Sequence, residues 1–285
     1  MSDKPTYQLS VRLNLQALVG RINRALEETS RFVSMAMLLP RDAHSDGAEL
    51  GKQGMLVRFN SGLIWSNEEA HEAWKQWIVK NGFRDISELV SSVMEEAHAI
   101  LSFYALLDKQ LAGEQLLSEE LAKRDKDIAK FHRSSLSDKL DWLLGQPSFS
   151  VSAEKQEEVR SITAARNCIA HRGGVVGPKD VTENGKLVVK WLAVDLALKN
   201  GDVEVPFEIP KRVEKGDVLV SRVVRRTKEF SVGDRVIFDE KEFSEIAFTI
   251  VAFAQAIAGS LQASGEARGL EFKSPAAEPP TGDNE

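Results

Sequence analysis

Cysteine is almost missing from this 285-residue chain. It has one, Cys168, so an internal disulfide framework is excluded and a reducing cytoplasm is the expected setting. Long apolar runs are missing too: none reaches the roughly 18–20 residues a membrane helix needs, and no membrane partner is expected. The opening residues, Met1-Ser2-Asp3-Lys4-Pro5, lack the apolar core of a secretory signal. Positive charge is not in excess. Thirty-seven Lys and Arg face 43 Asp and Glu, a net charge of −6, which argues against broad nonspecific nucleic-acid binding but leaves room for a local basic cleft. No P-loop or dinucleotide fingerprint occurs, so no cofactor is expected, and there is no internal repeat. What remains, 42% hydrophobic and 28% charged, is the composition of an ordinary globular chain with ample core.

Periodicity divides the chain. Tyr7 to Leu15 alternates as a strand, and Ile22, Leu26, Thr29 and Val33 have helical spacing up to Pro40. Residues 41–64 are glycine-rich loop, with a short strand expected over 55–59. Ser66 and Glu69 form a capping box for a helix that is expected to stop at Asn81-Gly82. Further helices are expected over 85–111, 115–132 and 137–144, the last ending at Gly145, and Ser152 caps another that runs to Gly173. The period then turns to β. Asn184-Gly185 and Asn200-Gly201 signal hairpins, 203–209 alternates, Pro206 suits an edge strand, and further strands fall in 218–224 and 235–238. Asp239 with Glu242 caps a last apolar helix through Leu261, and a Pro-rich acidic tail follows from Ser274, expected to be disordered. The expected division is an extension (1–65), a helical bundle (66–174), a β-rich segment (175–238), a closing helix (239–264) and a tail (265–285). The fold class is therefore mainly α, with a small antiparallel β segment inserted before the last helix.

One segment carries a functional signal: Arg166-Asn167-Cys168-Ile169-Ala170-His171-Arg172-Gly173-Gly174. At 100° per residue, Val159, Ile162, Ile169 and Ala170 form one stripe with Arg166 in its middle. A charge centred on a burying face is costly unless a carboxylate, a ligand or a second copy of the surface meets it. Asn167 and His171, four apart, share the flank of that stripe, and the glycine stop puts His171 in the last turn, where the helix dipole favours imidazolium. Arg166 and His171 themselves point about 140° apart on an ideal helix. They meet only if the last turn unwinds or if two copies complement each other.

An arginine followed at once by a polar residue and, within four to six residues, by a histidine resembles the signature of the HEPN superfamily. Here it reads R-N-C-I-A-H, toward the end of a helix and before a glycine stop. The preceding Phe131 to Leu144 stretch, F-H-R-S-S-L-S-D-K-L-D-W-L-L, also looks like the helix before the motif in bacterial members. The resemblance covers about residues 83–174. It implies a HEPN-like bundle and a homodimer whose two motif helices face each other across a two-fold axis. It also implies metal-independent RNA cleavage through the ribose 2′-hydroxyl, often in toxins or defence effectors, with an antitoxin or a nucleotidyltransferase-like chain as a protein partner. On that reading His171 moves the 2′-hydroxyl proton, Arg166 holds phosphate, and Asn167 orients His171 or contacts the phosphate. Many HEPN proteins are non-catalytic, so a silent interaction module using the same face is the alternative. A purely structural reading pairs Arg166 with Asp138 or Asp141 and leaves His171 as a cap.

Other patterns weigh less. Lys211 to Arg235 holds eight basic residues against four acids, which makes Arg222, Arg225 and Arg226, together with Arg172, candidates for RNA backbone contacts. The same charges fit the solvated face of a hairpin. Glu68-Glu69-Ala70-His71 and Glu95-Glu96-Ala97-His98 have di-iron ligand spacing, but Glu68 and Glu69 suit a helix amino terminus and no metal is expected. Cys168 points away from the stripe and has no base beside it. Trp74, Trp77 and Trp142 read as core or interface.

Overall fold

The computed structural model describes residues 14–37, 67–113, 118–182, 184–200, 203–207 and 217–272. Among these are six helices and one three-stranded antiparallel sheet: α1 (Leu15–Met37), α2 (Asn67–Leu111), α3 (Ser118–His132), α4 (Leu136–Leu144), α5 (Ala153–Arg172), β1 (Lys186–Asn200), β2 (Val203–Pro206), β3 (Val218–Ser231) and α6 (Glu240–Glu266). The expected elements in 1–13, 38–66 and 208–216, the Ser66 side of the capping box and the tail from Ser274 lie outside the described residues. Leu15, the end of the expected first strand, instead opens α1, which Asn14 caps by accepting from the Ala17 N–H at 2.9 Å.

The largest departure from the sequence reading is α2. Its 45 residues run through Asn81-Gly82 without a break. Asn81 bonds back into the helix, its Nδ2 donating to the Trp77 carbonyl at 2.7 Å. Gly82 serves packing: a Cβ there would stand 2.5 Å from the Phe243 ring and 3.0 Å from a Val33 methyl. The glycine signals close approach to neighbours, not a stop. The Phe131–Leu144 stretch, likened as a whole to one helix, falls on two, close to the expected 115–132 and 137–144. It is the end of α3 and the whole of α4, whose N-cap is Ser135, its hydroxyl accepting from the Asp138 N–H.

The chain divides into two compact units, neither contiguous in sequence: Met1–Val19, Ser92–Val151 and Gln255–Glu285 form one, Gly20–Ser91 and Ser152–Ala254 the other. In the first, Val93, Met94, Ala97, Leu101, Tyr104, Leu140, Leu143 and Leu261 are buried. Lys139 is buried with its ammonium on Glu95 at 2.6 Å, and His132 meets the other Glu95 oxygen at 2.7 Å. Tyr104 donates to the Leu261 carbonyl at 3.1 Å. In the second, Phe83, Phe230, Phe238, Phe243 and Trp191 form an aromatic cluster with ring centroids 5.1–6.0 Å apart.

The sheet order is β2-β1-β3, so β1 is central and Pro206 sits on an edge strand. β3 pairs with β1 from Val218 to Ser231, beyond the expected end at 224, because its charged second half meets carboxylates of this unit. Residues 235–238 make one isolated bridge, Val175 to Arg235, and no strand. Asn184-Gly185 turns the chain into β1 without joining two strands among the described residues. Where β2 does not reach, hydroxyls satisfy the β1 backbone: Ser161 Oγ accepts from Lys190 N–H at 2.9 Å, and Thr249 Oγ1 accepts from Leu192 N–H at 2.8 Å. The capping box that opens α6 is complete, with Glu242 N–H on Asp239 Oδ1 at 2.8 Å and Asp239 N–H on Glu242 Oε2 at 2.9 Å. Helix α6 is long and apolar enough to cross a membrane, but Phe243, Ile246, Ile250, Phe253, Ile257 and Leu261 are buried, as in a core helix.

Candidate functional site

Helix α5 carries the motif and is capped at both ends. Ser152 Oγ accepts from Lys155 N–H, and Gly173 is left-handed at φ +63°, its N–H returning to the Cys168 carbonyl. The helix stays regular through Arg172, so the last turn does not unwind to swing His171 toward Arg166.

The burying face differs from the expected stripe. Glu158, Val159, Ile162, Ala165, Cys168 and Ile169 are buried, whereas Arg166 and Ala170 are half-buried. The centre of that face lies roughly 70° from Arg166, by the helical period. Arg166 is thus a rim residue, whose long stem can lie along the core while its head reaches outward. Cys168 points inward as a small apolar group, and burial pushes its thiol pKa up.

Arg166 Nη1 donates to Asn167 Oδ1 at 3.3 Å, and its Nε is buried without a hydrogen-bond partner. No carboxylate among the described residues pairs with it; Asp138, one of the two expected partners, is held by Ser135 at 2.7 Å. The guanidinium instead lines a pocket of about 290 Å3 with Ala170 of α5 and Trp77, Lys80, Asn81 and Arg84 of α2. Three cations and no acid line it. Arg84 is shared with Glu88 at 2.9 Å, while Lys80 has no carboxylate partner among the described residues. His171 is exposed, lines no part of this pocket and makes no hydrogen bond to Asn167.

The remaining candidates are met within the chain. Arg172 forms a two-pronged pair with the buried Asp180 carboxylate, which also accepts from Gly177 N–H at 2.9 Å; this hydrogen bonding raises the Arg172 pKa. Arg222 pairs with Glu204 at 2.6 Å and Arg225 with buried Glu158 at 3.0 Å. Arg226 is held by Asp195 at 2.5 Å and by Glu245, which also accepts from the Trp191 indole. Arg225 and Arg226 tie the sheet to α5 and α6, Arg222 joins β3 to β2, and each of the four is ion-paired within the chain. Among the described residues no group of three or more ligating side chains forms around the two Glu-x-x-His runs.

Trp77, Lys80 and Arg84 were legible as one helix face, spaced i, i+3 and i+7. Ending the helix at Asn81-Gly82 hid them by assigning them to different elements. Of the residues expected in a core or an interface, Trp77 is 55% exposed and Trp142 37% exposed, which excludes the core reading for both and leaves the interface. Trp74 stacks on Trp77 at 5.4 Å and donates to the Ala36 carbonyl. No family model matches the chain, and no curated protein or solved structure is found to match it.

Proposed function

We propose that this chain is a metal-independent endoribonuclease of the HEPN type, working in the cytoplasm as a homodimer in a toxin or defence role. The observation that carries the reading is Arg166: a guanidinium without a carboxylate, on the R-N-x-x-x-H helix, lining a pocket whose charged residues are all cations. In a protein of net charge −6, such a pocket is suited to an anion, and the planar guanidinium fork matches phosphate. Asn167 braces that fork. His171, solvent-facing in the last turn, takes the proton of a ribose 2′-hydroxyl. The freed oxygen attacks the adjacent phosphorus, the bond to the 5′-oxygen breaks, and that oxygen takes a proton from water while the His171 imidazolium returns its own to solvent, giving a 2′,3′-cyclic phosphate and a 5′-hydroxyl end. Because α5 is regular through Arg172, the His171 that works with a given Arg166 comes from a second copy.

The in-chain pairing of Arg172, Arg222, Arg225 and Arg226 favours a second reading, a catalytically silent module that dimerises through the same helix. One experiment separates them. Purified protein is sedimented at micromolar concentration and incubated with a panel of RNAs in chelator, as wild type, His171→Ala and Arg166→Met. The nuclease reading expects a dimer, cleavage by wild type alone, and melting temperatures nearly unchanged, since no carboxylate is stranded when Arg166 is replaced. A strict monomer, or cleavage that needs added metal or survives His171→Ala, removes the mechanism. A dimer that cuts no RNA leaves the module.

A further inference from the structure

A second cavity, of about 440 Å3, lies beside the Arg166 pocket, and Trp77 and Lys80 line both. Its walls include Val79, Ile169, Val236, Ile237 and Phe238. Its acids are already engaged: Glu72 with Lys75 at 3.3 Å, Glu242 with Lys228 at 2.7 Å, and Asp239 with the α6 amino terminus. An apolar cavity and a cationic pocket therefore share one wall, an indole more than half exposed and an ammonium without a carboxylate partner among the described residues.

We propose that Trp77 and Lys80 are RNA-binding residues that extend the Arg166 site, an inference that rests on the ribonuclease reading. Lys80 and Arg166 hold one phosphate of a single strand between them, and the neighbouring base stacks on Trp77 against the apolar cavity. Charge and shape select this occupant. The cationic side asks for an anion, the apolar side for a flat uncharged group, and a nucleotide offers both at adjacent positions. Trp74, stacked on Trp77 with the two planes 17° apart, fixes the orientation of the indole, so little side-chain freedom is lost on binding. Stacking accepts any base, so this contact adds affinity without sequence preference.

The test uses the full chain carrying His171→Ala, so that RNA is bound and not consumed. The probe is a fluorescein-labelled 12-nucleotide oligo(A) in chelator, titrated by anisotropy across a salt series while tryptophan emission is followed. Trp77→Leu should weaken binding by about tenfold and abolish the RNA-dependent part of the quenching, whereas Trp77→Phe should retain most affinity. Lys80→Ala, at an exposed position that carries no core, should lower the salt slope by about one. Unchanged affinity in both Trp77→Leu and Lys80→Ala, while the parent binds and wild type cuts, overturns this extension and leaves the Arg166–His171 chemistry standing. Absence of binding by the parent overturns both. If Trp77→Leu does not fold, the quenching difference for Trp77→Phe and the slope for Lys80→Ala still decide.

Discussion

Gly82→Ala puts the close packing of α2 against Phe243 to a test of sign. In an exposed helix interior the change stabilises by about 0.5–1 kcal/mol, because alanine loses less backbone freedom on folding. Here the new Cβ would meet Phe243 Cζ at 2.5 Å and Cε2 at 2.8 Å, with Val33 Cγ2 at 3.0 Å. The Phe243 ring cannot simply swing aside, since it is fully buried and edge-on to Phe83 at 5.8 Å. Overpacking of this kind costs about 1–3 kcal/mol, so the net expectation is a loss of roughly 0.5–2 kcal/mol. Phe243→Leu removes the obstructing ring atoms at its own cavity cost. In that background Gly82→Ala should become neutral or stabilising, a coupling that a double-mutant cycle reads directly. Urea unfolding of the four proteins, compared by midpoint at constant slope, is the assay. A Gly82→Ala midpoint above wild type, with no coupling to Phe243, refutes the close approach and leaves Gly82 an ordinary helix-interior glycine.

Three further outcomes follow from single sites. His98 lies between Phe131 and Trp142 at 4.1 and 4.3 Å, and burial holds its pKa below the usual 6.5 against the opposing pull of Asp127. The unfolded chain therefore binds the proton more readily, so stability should be full above about pH 6.5 and fall below it; His98→Phe should flatten that fall in urea titrations at pH 7.5 and 5.5. Asp180→Ala strands the Arg172 guanidinium and the Gly177 N–H, and because Arg172 is partly exposed the expected cost is about 1–2 kcal/mol by thermal or urea unfolding; no measurable cost would discount the pair. Cys168 is fully buried with its thiol pKa pushed up, so a disulfide reagent should label the chain only on unfolding, and fast labelling of native protein would contradict its inward position.

What the sequence disclosed were features with local chemistry: the Ser152 cap, the Gly173 stop, the Asp239–Glu242 box and the edge position of Pro206 all stand where residue type alone put them. What it concealed depended on partners remote in sequence. Gly82 is read as a terminator by its neighbours, and only Phe243, 161 positions later, explains it. The Arg225–Glu229 stretch lacks apolar alternation, yet it continues β3 because Glu158, Glu245 and Asp195 await its charges. The same concealment affected the candidate site. Arg166 is legible in the sequence, but its place at the rim is not, because the burial of Cys168 shifts the burying face away from the Val159–Ala170 stripe. The pocket's other wall lay across the misplaced helix end.

The interleaving of the two units has a consequence for how the chain is made. One unit needs residues up to Ala254 and the other needs the segment that begins at Gln255, so α6 supplies the closing piece of each. During synthesis neither unit can complete its core until α6 has emerged, and both await the same 27 residues. Until then, apolar faces of α1, α2 and α5 stand open in the nascent protein, the condition in which association with other chains competes with folding. Truncation before Glu240 should accordingly give insoluble or chaperone-bound product, not a smaller folded domain.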